Sequence, residues 1–436
     1  MAFVARAKGL GLATGGAVLG GLVGGFLVVG VTLVLKAGMD LASRENTLYV
    51  VFVPLVGLAL ATLILHVLGR SGGEEDRQTH PWRTFPPDAI RADISGDVVE
   101  CEGTEERFPW RLAPIRALAI LATVGSGGAM GTEAPAAYLG VAAGVCLGDR
   151  GRGWRRLLRP AAMAGGAAGV SALMASPLVG TAFMLELGLR RRIPVNAERS
   201  VAAVLGGFLG WAISAFFHLK FIRLIVPREP PRSFMQAAVV ALLIGALAGA
   251  ISSLAGLAVY RAKNWKASPA VRLAIGGAAI VATVVILARL TTPTAAVGPG
   301  GGAILWAENG HALPATLLAV CVLRAMATTA AVAAGGCGGV FVPFLAVGDI
   351  AGRVFAPALD VGSDLAGAAG AAAGIAGGYR LPITAVVMVV SVGGPPLAML
   401  TCLATVLVAF HVGLATEVVL ARLKGLLSAR PRAPVH

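Results

Sequence analysis

Glu133 is the residue of this chain best placed to do chemistry. It stands between the glycine cluster Gly127-Gly128-Ala129-Met130-Gly131 and an apolar run over residues 134–147, so it opens a short helix inside an apolar stretch. An ionised carboxylate at membrane depth costs on the order of several kcal/mol unless it is protonated or paired. A carboxylate at the first helical position also serves as an ordinary helix cap, favoured by the helix dipole. A second copy of the pattern decides between these roles. Gly335-Gly336-Cys337-Gly338-Gly339-Val340-Phe341-Val342-Pro343 follows the first cluster after 208 residues and carries Phe341 where the first carries Glu133. The backbone therefore does not need a carboxylate there, and Glu133 is assigned a functional role. The two glycine-flanked helix starts, at Gly131 and Gly339, expose free backbone N–H groups. Such groups bind anions through partial charges alone. Two of them facing one another make a site for a small dehydrated anion that can also leave again.

Other polar groups in apolar surroundings are fewer. Glu186 lies just before Arg190, Arg191 and Arg192 and reads as one side of an interfacial ion pair. Arg324 lies within the apolar stretch 314–334, and Asp349 within the helix of the second motif. Their open partners are each other, Glu186 or backbone carbonyls. Gly125-Ser126-Gly127 lacks the lysine and third glycine of a nucleotide loop. Five cysteines without metal spacing, six scattered histidines and no Ser/His/Asp set point to no enzyme, no metal and no cofactor.

The elements that position these residues are membrane helices. Of the 436 residues 57% are hydrophobic and 13% charged, and mean hydropathy is +0.81, which excludes a soluble enzyme or a disordered chain. Seven stretches reach the length of about 20 apolar residues that a bilayer requires: 9–35, 47–68, 201–217, 234–260, 273–290, 314–334 and 397–421. Others are broken by glycine or proline, over 112–130, 161–189, 339–359 and 366–392. Broken helices at membrane depth must be enclosed by protein or line a watery cavity.

The repeat extends beyond the glycine clusters. Gly140 matches Gly348 and Gly144 matches Gly352 at the offset of 208. Ala175-Ser176-Pro177-Leu178 precedes Arg380-Leu381-Pro382-Ile383 by 205, and Gly165 and Gly169 match Gly370 and Gly374 at that offset. Repeated halves with interruptions at corresponding places are a transporter pattern, and the interruptions point to the binding site. The expected fold class is thus all-α: a polytopic membrane protein of two repeated halves, inverted relative to one another, with re-entrant helices. The expected organisation is a first half over 1–230 with a polar insert at 70–111, a second half over 231–436, and no C-terminal regulatory domain. The net charge of +14 gathers in short runs, such as Arg150, Arg152, Arg155, Arg156 and Arg159, between apolar segments. That pattern reads as cytoplasmic loops of an inner-membrane, multi-pass protein rather than a nucleic-acid surface.

These motifs, in this order, resemble those of the CLC chloride channel and transporter family. Gly131-Thr132-Glu133-Ala134-Pro135 is similar to the family's G-[KR]-E-G-P, and Gly339-Val340-Phe341-Val342-Pro343 matches its G-x-F-x-P. Ala175-Ser176-Pro177-Leu178-Val179-Gly180 resembles N-A-P-L-A-G, and Tyr379-Arg380-Leu381-Pro382-Ile383-Thr384 resembles R-x-P-L-T. The resemblance implies a homodimer in a lipid bilayer, with one pathway per subunit for chloride or another small anion. It implies anion binding by backbone N–H groups near Ala134, Val340 and Phe341, and a gate at Glu133 that exchanges protons. The family's early serine falls on Ser95, with Ser71 as its rival, and the tyrosine of the last helix is replaced by Thr416. The family's inner proton-relay glutamate aligns near Leu219, after His218. Thr132 and Ala134 also depart from the first motif, while the stretch Arg107–Pro114 resembles the fluoride-exporting branch. The expected function is proton-coupled chloride exchange. The alternatives are a passive chloride channel, a fluoride/proton antiporter, and a non-transporting scaffold on a degraded transporter fold.

Overall fold

The structure is a computed structural model. It describes residues 2–42, 47–68, 108, 110–148, 158–190, 195–219, 221–222, 224–310 and 312–428. Among the described residues there is no strand, and the chain is built from helices. The first are α1 (Ala2–Ala42) and α2 (Thr47–Leu68). A single turn, Trp110–Leu112, leads into α3 (Ala113–Gly125), then α4 (Glu133–Gly148), α5 (Leu158–Met174), α6 (Pro177–Arg190) and α7 (Ala197–Phe216). Next come α8 (Phe234–Lys263), α9 (Pro269–Leu290), the short α10 (Pro293–Ala296), α11 (Gly301–Asn309) and α12 (Pro314–Ala333). The remainder is α13 (Phe341–Arg353), α14 (Ala356–Leu359), α15 (Ser363–Gly374), a π turn at Ile375–Tyr379, α16 (Pro382–Val392) and α17 (Pro396–Ser428).

Among the described residues, seven helices (α1, α2, α7, α8, α9, α12 and α17) are long and apolar enough to cross a membrane. Only 33% to 50% of their most apolar windows is buried in protein. The outward faces carry large apolar side chains, among them Phe26, Val56, Phe216, Phe234, Leu242, Ile275 and Leu407. That much exposed apolar surface is unsuited to water, and hydrocarbon is its natural solvent. The protein is a multi-pass membrane protein.

The interrupted helices sit differently. Every residue from Phe341 to Arg353 of α13 is buried, as is every residue from Glu133 to Val145 of α4. Neither helix spans a bilayer, and both are enclosed by protein, which lets their ends be satisfied internally. Close backbone approach makes this possible. A Cβ on Gly140 would fall on the Gly165 carbonyl, and one on Gly348 would fall on the Gly370 carbonyl. So α4 packs on α5 in the way α13 packs on α15, through glycines at matching offsets.

The breaks match as well. Gly127 has φ +85° and Gly335 φ +91°. The N–H of Gly127 donates to Val124 O and that of Gly335 to Val332 O, while Gly128 and Gly336 donate to Thr123 O and Ala331 O. At the second break, Ala175 (φ +49°) and Arg380 (φ +63°) are both left-handed. A left-handed non-glycine residue costs about 1–2 kcal/mol. Arg380 is held there by its side chain, which reaches Glu417 at 2.8 Å and donates to Phe410 O and Ser253 Oγ.

Candidate functional site

The glycine turn after α3 delivers Glu133 to the start of α4. Just upstream, Gly131 and Gly339 exchange reciprocal backbone hydrogen bonds of 2.7 and 2.8 Å, an isolated antiparallel bridge. The two repeated motifs therefore meet at equivalent residues. Thr123 Oγ1 accepts from the N–H of Cys337 at 3.0 Å and ties the end of α3 to the second motif.

Glu133 is fully buried, and its carboxylate crosses to the other motif. Oε1 accepts from the N–H of Phe341 at 2.7 Å and from that of Val342 at 3.1 Å. Both donors belong to the first turn of α13, where the helix dipole favours negative charge. A hydrogen bond to a charged group contributes about 1.5–3 kcal/mol, so the two offset much of the burial penalty. Oε2 is buried with no hydrogen-bond partner among the described residues. Gly339 makes room for this arrangement. A Cβ there would lie 2.6 Å from Oε1 and 3.1 Å from the amide nitrogen of Ala134.

Aromatic rings close around the donors. Phe183 of α6 lies with its centroid 5.8 Å from Phe341, edge to face, and Tyr379 lies 5.9 Å from Phe341 and 6.2 Å from Phe183. Phe344, one turn further along α13, meets Tyr379 at 6.3 Å. These rings exclude water from the start of α13 and strengthen its electrostatics.

The structure brings Gly131, Glu133, Ala134, Gly339 and Phe341 together. Val340 is the residue before the first turn of α13, and the second donor to the carboxylate is Val342, not Val340. Thr416 is half-buried in α17, and its hydroxyl donates to Val412 O of its own helix at 2.8 Å. No hydrogen bond or ring contact joins it to the cluster, and the phenol beside Phe341 is that of Tyr379. Tyr379 was legible only as the residue before Arg380 in the second proline motif. Glu186 reaches the start of α16. Its Oε1 accepts from the N–H of Ile383 at 2.8 Å, and its Oε2 from the N–H and hydroxyl of Thr384 at 2.7 and 2.6 Å. It caps α16, while Arg190 donates to Tyr379 O at 2.8 Å. Ser95 and Ser71 lie outside the described residues, as does most of the 70–111 insert. Leu219 lies just beyond the end of α7, its N–H donating to Ser214 O.

Arg324 and Asp349 do not pair. Asp349 binds Arg353, Nε to Oδ1 at 2.9 Å, in a buried i,i+4 pair, and Arg324 binds backbone carbonyls. Glu186 gives a stability prediction. Alanine there leaves the two buried donors of Thr384 without an acceptor, at about 1–3 kcal/mol each, and exposes the part-buried N–H of Ile383, so a loss of at least about 2 kcal/mol is expected. Glu186→Gln keeps one acceptor oxygen and should lose less. Thermal denaturation in detergent checks the order, and an alanine variant as stable as the parent would refute the capping role.

Interrupted helices meeting at repeated glycine turns, with one carboxylate laid across the junction, define a membrane transport protein rather than an enzyme. A family model described as voltage gated chloride channel matches residues 82–414, and the chain belongs to that family. Among curated relatives is the H(+)/Cl(-) exchange transporter ClcA of Yersinia pestis bv. Antiqua (strain Angola). It is 26% identical over 356 residues, covering 76% of this chain and 71% of the relative. The protein of the same name from Klebsiella pneumoniae (strain 342) is 27% identical over 331 residues, covering 70% and 67%. Two solved structures share the fold. A slow cyanobacterial Cl-/H+ antiporter superposes with a TM-score of 0.69 at 20% identity, over 97% of this chain and 99% of the other. A CLC-type fluoride/proton antiporter also gives 0.69, at 21% identity, over 95% and 96%.

Proposed function

We propose that this protein exchanges chloride for protons across the membrane, with Glu133 as the coupling group. The observation that carries the reading is the carboxylate oxygen of Glu133 on the Phe341 and Val342 N–H groups: an anion already lies across the helix start. A chloride ion needs the same donors, with Ala134 N–H beside them. Ionised, the carboxylate competes with chloride for this position. Protonated, it loses its charge, releases the two N–H groups to chloride and carries one proton away. Taking that proton from one side and returning it to the other couples the two fluxes. Oε2, which has no hydrogen-bond partner among the described residues, is the oxygen that receives it. The ClcA relatives, named as H(+)/Cl(-) exchange transporters, support proton-coupled chloride exchange.

On this reading the halves 1–230 and 231–436 are inverted repeats whose glycine turns build one site. The protein works as a homodimer in the inner cell membrane, and each subunit holds its own pathway. The test is flux from liposomes containing the purified protein, recorded with a halide electrode and a pH electrode together. Chloride efflux driving stoichiometric proton movement is the expected result. Parallel vesicles loaded with fluoride, nitrate or sulfate define the anion. Fluoride-only flux would reassign the substrate, chloride flux without protons would make the protein a channel, and silence with every anion would end the reading.

A further inference from the structure

Arg324 is buried to 1% exposure in the middle of α12, and no carboxylate lies within ion-pair distance of it among the described residues. A full charge held at such depth has a strong reason to be there. Its guanidinium donates to three consecutive carbonyls, those of Ala296 (3.2 Å), Val297 (3.5 Å) and Gly298 (2.5 Å). A planar cation with five donors suits such a cluster, and a single ammonium does not. These carbonyls belong to a strap that follows α10 and contains two positive-φ glycines, Gly298 (+70°) and Gly300 (+126°). The strap has contacts on both sides. The N–H of Gly298 donates to Gly127 O at 2.7 Å, in the turn that delivers Glu133. Gly300 lies against Ala346 of α13, where a Cβ would press on the alanine side chain. One turn before Arg324, Cys321 Sγ contacts Val347 O at 3.2 Å and joins α12 to the same stretch of α13.

We infer that Arg324 is a positioning residue for the anion site: through the strap at 296–298 it clamps the Gly127 turn against α13 and so sets where the Glu133 carboxylate and the α13 N–H groups meet. The inference rests on the proposed anion transport. Arg324 touches neither the carboxylate nor its donors, and it acts through Gly298 and Gly127. Loosening the clamp weakens anion binding before it slows turnover, because the donors drift apart while the acid that cycles protons stays intact.

The experiment uses full-length protein in liposomes, with wild type, Arg324→Gln, Arg324→Lys and Gly298→Ala side by side. Gly298→Ala leaves the cation in place and has open space for its methyl, the nearest atom being Met39 Sδ at 3.9 Å, but it strains a left-handed position. Both Arg324→Gln and Gly298→Ala should raise the half-saturating chloride concentration by about two- to thirty-fold, the range expected for a remote residue in a packed network. Maximal flux should change much less, and Arg324→Lys should fall between. If Arg324→Gln does not fold, Gly298→Ala carries the test alone. Variants that melt earlier yet keep the wild-type half-saturation would reduce Arg324 to a structural residue and overturn the clamp. A silent wild-type protein would instead sink the transport reading, and the clamp with it.

Discussion

Glutamine at position 133 should leave chloride flux in place and remove proton flux. The side chain keeps its shape and an oxygen for the Phe341 and Val342 N–H groups, so the start of α13 stays ordered. What disappears is the charge that competes with chloride and the oxygen that takes up a proton. A positioned acid–base group contributes about 100- to 10,000-fold to proton transfer, so proton movement should fall by at least about 100-fold. Glu133→Ala should behave alike for protons and pass chloride at least as fast, since it also clears the space. Simultaneous halide and pH recordings from one batch of vesicles read both fluxes. Proton movement that survives in Glu133→Gln would remove Glu133 from the mechanism.

Gly339→Ala should lower both fluxes strongly, and the contrast with Glu133→Gln is informative. The added methyl would lie 2.6 Å from the position of Oε1, closer than real Cβ atoms come to oxygen. A flexible carboxylate can move aside, but a chloride ion bound at that position meets the same methyl and is larger than the oxygen. Losing one charge-assisted hydrogen bond corresponds to about 1.5–3 kcal/mol. Chloride transport should therefore fall at least about ten-fold, since each 1.4 kcal/mol is a factor of ten. The double variant Glu133→Ala/Gly339→Ala separates steric from acid effects. If the methyl blocks the anion itself, the double variant stays at least about ten-fold slower than Glu133→Ala alone. Fast chloride flux in the double variant would place the anion somewhere other than at the first turn of α13.

The membrane spans were legible residue by residue, because a span is a local property of length and apolarity. The stretches 47–68, 234–260 and 314–334 fall within or nearly on α2, α8 and α12. The breaks were legible too. A glycine with positive φ, or a proline opening the next helix, is written in the residue itself, and Gly127, Gly335, Pro177 and Pro382 all stand where a helix stops or starts. Glu133, Gly131, Gly339 and Phe341 stood out because a repeat makes the one dissimilar position conspicuous, and the fold brings them together. The glutamate could be read as special, but not the two amides that its carboxylate meets.

Those amides belong to tertiary structure, as do the partners of the other buried charges. Arg324 has acceptors 26 to 28 residues before it, on a strap whose path depends on α10 and α13. Glu186 meets Thr384, 198 residues later, and its neighbour Arg190 turns instead to Tyr379 O. Thr416 binds a carbonyl of its own helix, while Tyr379 lies in the aromatic cluster. Sequence determined where this chain crosses the bilayer, where its helices break and which acid interrupts the pattern, since each of these depends on a few neighbouring residues. Which donors face which acceptors was decided only by packing, because in a dry interior a charge must take whatever polar groups distant helices bring within about 3 Å of it.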